Sequence, residues 1–429
     1  MHEDGRARGA RRRVLILAPH SSYRIGPYLA AARGLGLRPF LVSTGRQVLL
    51  PAGVEGVQVD PRGEEAARAR VLEALGGDPP CAAVATDDPM VPLAARLAAD
   101  LGLPHNPPAA ARLARRKDLA RARLAEAGLP VPAHRVLDLD RPLGPQLRGL
   151  DYPCVAKPVA LAGSRGVIRA DGPAALEAAC DRIARILAGE PHLTEEERRR
   201  VLVETFVPGP ELALEGLLSD GRLEVLALFD KPDPLEGPYF EETYYVTPSR
   251  LPPTAQRRIA EVVEAACAAY GLRHGPVHAE VRWRAGEAWI LEIAARTIGG
   301  ECARLLRFGT GHALETLVLA HAAGIPLALD RPDEAAGVLM LPTPAAGVLR
   351  RVEGVLEAQR VPGVEAVEIA LREGSTLVPL PEGASYLGFV FARGPDPVAV
   401  EAALRAAHAR LRIVVAPSWR LRPREAAGF

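Results

Sequence analysis

Apolar positions along the chain alternate between short unbroken runs and stretches with helical spacing. Residues 14–18 (VLILA) form an uninterrupted apolar run, the mark of a strand covered on both faces. GPYLAAARGLG then follows with helical spacing and a stop signal at Gly36, and LRPFLVS returns to a strand pattern. A further strand near CAAVAT and a helix over PLAARLAADLG continue the alternation, so the first hundred or so residues predict a βαβ-type layer.

Downstream the pattern changes. Residues 105–132 (HNPPAAARLARRKDLARARLAEAGLPVP) predict a Pro-rich joint and then one helix that stops at Gly128. Segment 151–218 carries strands around CVAKPV and RVLVETFV with a helix between them. Residues 276–294 (PVHAEVRWRAGEAWILEIA) read as two strands joined by a Gly-containing turn, a β-hairpin. Residues 229–250 are too long for an ordinary hairpin turn and predict a functional loop rich in aromatic and acidic side chains, with a plain surface loop as the alternative. The tail alternates strands (VEAVEIAL, YLGFVFAR, LRIVV) with helices (VEGVLEAQ, DPVAVEAALRAAHA), an α+β pattern. Pattern shifts near 110 and 332 divide the chain into residues 1–112, 113–332 and 333–429, with 1–11 as a disordered tail.

Composition narrows the field mainly by exclusion. A length of 429 residues with 48% hydrophobic and 24% charged content is that of an ordinary globular protein of two or three domains. A net charge of +1 gives no long-range reason to expect nucleic acid or an anionic membrane as partner. The arginines before the first apolar run imitate a signal peptide, but that run is only about six residues long, and no stretch of about 18 apolar residues occurs. Five scattered cysteines without a C-x-x-C pair indicate neither a zinc site nor a disulfide framework, and fit a reducing cytoplasm.

One count does point to chemistry: only Lys117, Lys157 and Lys231 are lysines among 53 basic residues. An ammonium is a compact charge suited to a phosphate oxygen, whereas the Arg fork cannot always replace it. Lys157 lies on the strand preceding a loop with Gly163, Ser164 and Gly166, where backbone N–H groups can approach an anion. No Gly-Lys-Ser/Thr opens a helix, so this is not a Walker A loop, and no G-x-G-x-x-G follows the first strand. His20, Ser21 and Ser22 sit where that first strand ends, as ligand contacts or as a turn or helix cap.

The hairpin supplies a second set. With a loop at 285–287, Glu280 falls directly opposite Glu292; a two-residue loop shifts the register by one. Facing carboxylates destabilise a sheet unless something positive lies between them. Oxygen ligands without Cys favour Mg²⁺ over Ca²⁺ or Zn²⁺. His278 shares a strand face with Glu280, as an orienting group or as a packed neighbour.

Lys117, Lys157, the Gly loop, the E-x-x-V-x-x-x-E spacing of Glu204, Val207 and Glu211, and the Glu280/Glu292/Arg296 set together resemble the ATP-grasp superfamily. The resemblance spans roughly residues 14–330 and implies an ATP-grasp fold of α/β and α+β class, with a Rossmann-like N-terminal domain and a lid subdomain at about 150–208. It implies that Lys117, Lys157 and the 162–167 loop hold ATP phosphates, that Glu204 with the backbone of Phe206 and Val207 reads adenine, and that Glu211 takes the ribose. Glu280 and Glu292 would then hold Mg²⁺, with Mn²⁺ as the alternative, Arg296 would face the transferred phosphate, and Lys231 and His278 would assist. Many members carry Asn two residues after the second metal Glu; Ala294 stands there, and EIAARTIGG is instead similar to the L-amino-acid ligase branch. LLRFGTGHALETLVLAHAAGIPL and LVPLPEGASYLGFVFARG are similar to that branch and its C-terminal domain.

The implied activity is ADP-forming carboxylate–amine ligation through an acyl phosphate, with amino acids as the small-molecule carboxylate and amine substrates. Dimers are common in that family. Two rivals stay open: a ligase for a non-amino-acid carboxylate or bicarbonate, and a regulator that binds ATP without turnover. The facing carboxylates and Arg296 favour catalysis.

Overall fold

A computed structural model describes residues 12–45, 53–329, 334–383 and 385–418. The expected tail at 1–11 and the expected boundary at 332 lie outside these. The mixed class holds, with a parallel sheet first and antiparallel sheets after it.

The parallel sheet has the order Glu55–Gln58, Arg38–Ser43, Arg13–Ala18, Ala82–Ala85. Its first strand is buried along its whole length, as the unbroken apolar run requires, between helices Ile25–Gly34 and Val91–Asp100. The strand Glu55–Gln58 has no apolar signature, because it is a mostly exposed edge.

A four-stranded antiparallel sheet follows, in the order His134–Asp138, Arg200–Thr205, Cys154–Pro158, Ile168–Ala170. Helix Pro173–Ala188 covers one face and seals a separate small core. An eight-stranded antiparallel sheet then forms the body, in the order 287–294, 275–284, 211–219, 222–231, 244–247, 335–341, 388–394, 364–369. It runs without a break from the carboxylate hairpin into the C-terminal region, because Tyr244–Thr247 pairs with Ala335–Leu341. A three-stranded sheet of Thr376–Leu377, Gly347–Glu353 and Arg412–Ala416 completes the chain.

Three local expectations change. The single helix after the Pro-rich joint is two helices, Pro108–Arg115 and Lys117–Glu126, broken where Arg116 is extended (φ −104°, ψ 98°). The break makes Lys117 the first residue of a helix. The long loop at 229–250 is shorter than expected, since Lys231 ends one strand and Tyr244 begins another. The hairpin turn has two residues, Ala285 and Gly286, both at positive φ (51° and 81°), the arrangement that suits the twist of a tight hairpin.

Candidate active site

A two-residue turn by itself would set Glu280 opposite Leu291. A bulge restores the functional register: Arg284 pairs with Glu287 and Val281 with Ile290, then the ladder shifts so that Glu280 pairs with Glu292. Leu291 is the extra residue. Arg121, from the helix that starts at Lys117, takes the freed carbonyls of Ile290 and Leu291, the latter at 2.6 Å. The bulge is thus held from outside, and both carboxylates stand on one sheet face.

Three adjacent strands then build a buried cluster. Glu211 is the cross-strand partner of Lys231 on one side and of Arg282 on the other. Its carboxylate accepts from Lys231 Nζ at 2.8 Å and from Arg282 Nε at 3.0 Å. Lys231 also donates to Glu242 and, at 3.1 Å, to Glu280. Burial alone would discharge this lysine, but three carboxylates outweigh it and hold the ammonium well above its usual range. Burial raises Glu242 to about 7 despite Lys231, with the charge of Glu280 adding to the rise. Glu280 goes the other way: burial opposes its charge, yet Lys231 and His278 keep it well below the carboxylate range. Oxygens of Glu211, Glu242 and Glu280 lie within 4.8 Å of one another, a hard-cation donor set that fits Mg²⁺ or Mn²⁺. The sequence paired Glu280 with Glu292 for this purpose; here Glu292 instead accepts from Lys117 Nζ at 2.6 Å.

His278 is the cross-strand partner of Glu215 and lies 3.5 Å from its carboxylate and 3.7 Å from that of Glu280. These are charge contacts longer than good hydrogen bonds. Burial disfavours the imidazolium, but the two carboxylates raise its pKa to about 9.

The lid sheet carries a smaller cluster. Lys157 Nζ lies 2.5 Å from Glu204, and Arg121 Nε binds the other oxygen of the same carboxylate. Glu204 is buried, yet these two cations hold it down at about 2. Both oxygens expected to face adenine are therefore engaged. The Phe206 N–H is bound to the Pro153 carbonyl at 2.9 Å, and the Val207 carbonyl accepts from Arg282 at 2.8 Å, so the strand end offers fewer backbone groups than its sequence suggests. Arg169 and Arg282 stack on the Phe206 ring at 4.6 Å and 4.8 Å. In the Gly loop, Gly163, Ser164 and Gly166 all have positive φ (65°, 54° and 70°). The Gly166 N–H donates to the Pro381 carbonyl at 2.9 Å, so the loop rests on the C-terminal region with that amide already used.

Arg296 is paired with Asp88 at 2.8 Å, a residue from the end of the parallel sheet that none of the sequence motifs includes. Burial opposes the guanidinium charge, but Asp88 holds it well above the ordinary range. Arg24 binds Asp87 at 2.5 Å and the Ile298 carbonyl at 3.1 Å, and Ser22 Oγ donates to Asp87 at 2.6 Å. Ser22 thus shapes this junction. The tandem Asp87-Asp88 follows a parallel strand at its carboxyl end, a favoured place for ligand contacts, and that was the available signal. Arg121, Arg282 and Glu242 had weaker signals, each being one charge among many in an Arg-rich chain.

A model of the ATP-grasp domain matches residues 150–304, and a model of L-amino acid ligase C-terminal domain 2 matches residues 339–416. The chain thus carries an ATP-grasp domain followed by an L-amino acid ligase C-terminal domain. Proteins named as ligases, an L-amino acid ligase and a carnosine synthase among them, are similar to it. The crystal structure of L-amino acid ligase from Bacillus licheniformis superposes with a TM-score of 0.79 at 26% identity, covering 95% of this chain and 99% of that one. An uncharacterized protein of Sinorhizobium fredii, y4rH, is 26% identical over 90% of this chain and 79% of its own length. Carnosine synthase 1 of Gallus gallus is 31% identical over 75% of this chain, which spans only 36% of that longer protein.

Among the described residues no helix is long and apolar enough to cross a membrane.

Proposed function

We propose that this protein is an ATP-dependent ligase that joins the carboxylate of one amino acid to the amine of another, giving a dipeptide or amino-acid amide with ADP and phosphate. The observation that carries this is the carboxylate cluster of Glu211, Glu242 and Glu280 beside the Glu292–Lys117 pair, with Arg296 four residues beyond Glu292. A regulator that only binds nucleotide has no use for that set. Its similarity to an L-amino acid ligase and to carnosine synthase 1 supports amino-acid substrates. Five free cysteines are consistent with a cytoplasmic setting.

In this reading Lys117 and Lys157 hold the ATP phosphates, and the loop at 162–167 covers them. Glu204 keeps Lys157 and Arg121 in place, and the strand end at Phe206 and Val207 borders adenine. Glu211 sits between the ribose side and the metal side, with Arg282 fixing its orientation. Glu280 and Glu292, joined by Glu242, would hold Mg²⁺, whose chemistry is to neutralise the phosphoryl charge during transfer. Lys231 balances these carboxylates and would turn its charge toward the γ-phosphate in the loaded enzyme. The substrate carboxylate attacks the γ-phosphorus and ADP leaves; an amine then attacks the acyl phosphate carbon, gives up a proton, and phosphate leaves. Arg296 faces the oxyanion of that second step, and His278 keeps Glu280 oriented. Exclusion of water by the lid protects the acyl phosphate from hydrolysis.

The test is incubation of the protein with ATP, Mg²⁺ and a matrix of paired amino acids, reading phosphate release and product mass together. A mass equal to two amino acids less water, formed with ADP and phosphate, is expected. Tight ATP binding with no turnover across the matrix would remove amino acids as substrates.

A further inference from the structure

The strongest unassigned feature is the contact that reaches Arg296 from another part of the chain. Arg296 Nε donates to Asp88 Oδ2 at 2.8 Å and its NH1 to the Thr297 carbonyl at 2.8 Å. Among the described residues its NH2 nitrogen has no hydrogen-bond partner. A guanidinium anchored by Nε cannot rotate about its long axis, and its terminal edge keeps one direction. Asp88 is itself fixed, since Asp87 beside it is held by Arg24, Ser22 and Thr86 Oγ1 at 2.5, 2.6 and 2.6 Å.

We propose that Asp88 is a positioning residue for the ligase reaction: it aims the free edge of Arg296 at the reacting carbonyl, so the N-terminal domain completes the active site. This rests on the role given to Arg296 above. It does not rest on Asp88 docking the domain, because Arg24 already ties the same junction to the Ile298 carbonyl at 3.1 Å. Alternating charges run from Lys117 through Glu292, Arg296 and Asp88 to Arg24, and Lys117 and Arg24 both act on Asp88 together with Arg296.

The experiment compares wild type, Asp88→Asn, Asp88→Ala, Arg296→Ala and the Asp88→Ala/Arg296→Ala double variant in full-length protein, with Arg24→Ala as the docking control. Asp88→Ala is expected to lower kcat by roughly 10²-fold with the KM for ATP unchanged, the size of loss that a small misplacement of a reacting group causes. Asp88→Asn keeps an acceptor oxygen and should recover part of that loss. The double variant should fall no further than Arg296→Ala alone. An unchanged kcat in Asp88→Ala, additive losses in the double variant, or a rise in the ATP KM as large as that of Arg24→Ala would overturn the proposal. If wild type joins no pair, amino acids fall as substrates, and NMR of the Arg296 Nε–H, assigned by its loss in Arg296→Lys, decides instead. That proton should exchange slowly in wild type and Asp88→Asn and rapidly in Asp88→Ala; slow exchange in all three sinks the proposal.

Discussion

Two lysines occupy comparable strand positions and live in opposite electrostatic surroundings. Lys157 in the lid sheet shares one carboxylate, Glu204, with Arg121, so that cluster keeps an excess of positive charge. Lys231 in the large sheet shares Glu211, Glu242 and Glu280 with Arg282 and with His278, which brings in Glu215 as well, so four carboxylates face three cations and that cluster keeps an excess of negative charge. One site is built to receive an anion and the other a cation. The same residue type, at the same kind of position, is assigned its role by how many carboxylates the fold brings to it.

That contrast can be broken by substitution. The largest effect is expected from Lys231→Met, which removes the one cation shared by three carboxylates, leaves Glu242 with none, and should cost about 3–5 kcal/mol in metal-free buffer. Mg²⁺ should return much of this by binding the folded state. Lys157→Met should cost far less, because Arg121 still neutralises Glu204. Urea unfolding of both variants with and without Mg²⁺ checks this; equal losses, indifferent to the metal, would erase the distinction.

Next, Glu280→Gln should lower turnover by roughly 10²–10³-fold, as removal of one preorganised charge does in other active sites. Calorimetric titration with Mn²⁺ should show weaker binding in the same variant, while ATP binding in the absence of metal stays close to wild type. Normal Mn²⁺ affinity would move the metal away from Glu280.

The two sites should also titrate at opposite ends. Glu204 has a lowered pKa, so its contribution to stability is present above the ordinary carboxylate pKa and is lost as pH falls through about 2. His278 has a raised pKa, so its contribution is complete below about 6.5 and is lost as pH rises through about 9. Melting temperature against pH should therefore lose part of its acid slope in Glu204→Gln and part of its alkaline slope in His278→Gln. Unchanged slopes would mean that neither ion pair contributes.

The smallest expected effect is that of Gly166→Ala. Gly166 has φ +70°, and an added Cβ would stand 2.7 Å from the Pro158 ring. A cost of about 1–2 kcal/mol is expected, with a several-fold rise in the ATP KM as the loop shifts. A normal KM would separate this loop from nucleotide binding.

Much of this was legible in the chain. The buried strand at 14–18 is apolar throughout, and the opposition of Glu280 and Glu292 could be counted from the hairpin sequence. Yet the counting reached the right pair through the wrong turn, because a two-residue turn and a bulge at Leu291 together give the register expected of a three-residue loop. Local sequence does not show a bulge whose carbonyls are satisfied by Arg121, some 170 positions away. The single helix expected between the Pro-rich joint and Gly128 failed for a related reason: the break at Arg116 carries no Pro or Gly, and Arg116 is held by Asp118 at 2.8 Å and Glu196 at 3.5 Å.

The sequence by itself determined which residues can carry charge to a phosphate or a metal, since side-chain chemistry and local periodicity are properties of neighbours along the chain. Only the tertiary structure decided which charge meets which. Glu292 went to Lys117, Glu280 to Lys231 and Arg296 to Asp88, because Coulomb interactions in a buried site are settled by distances of a few ångströms between elements far apart in sequence.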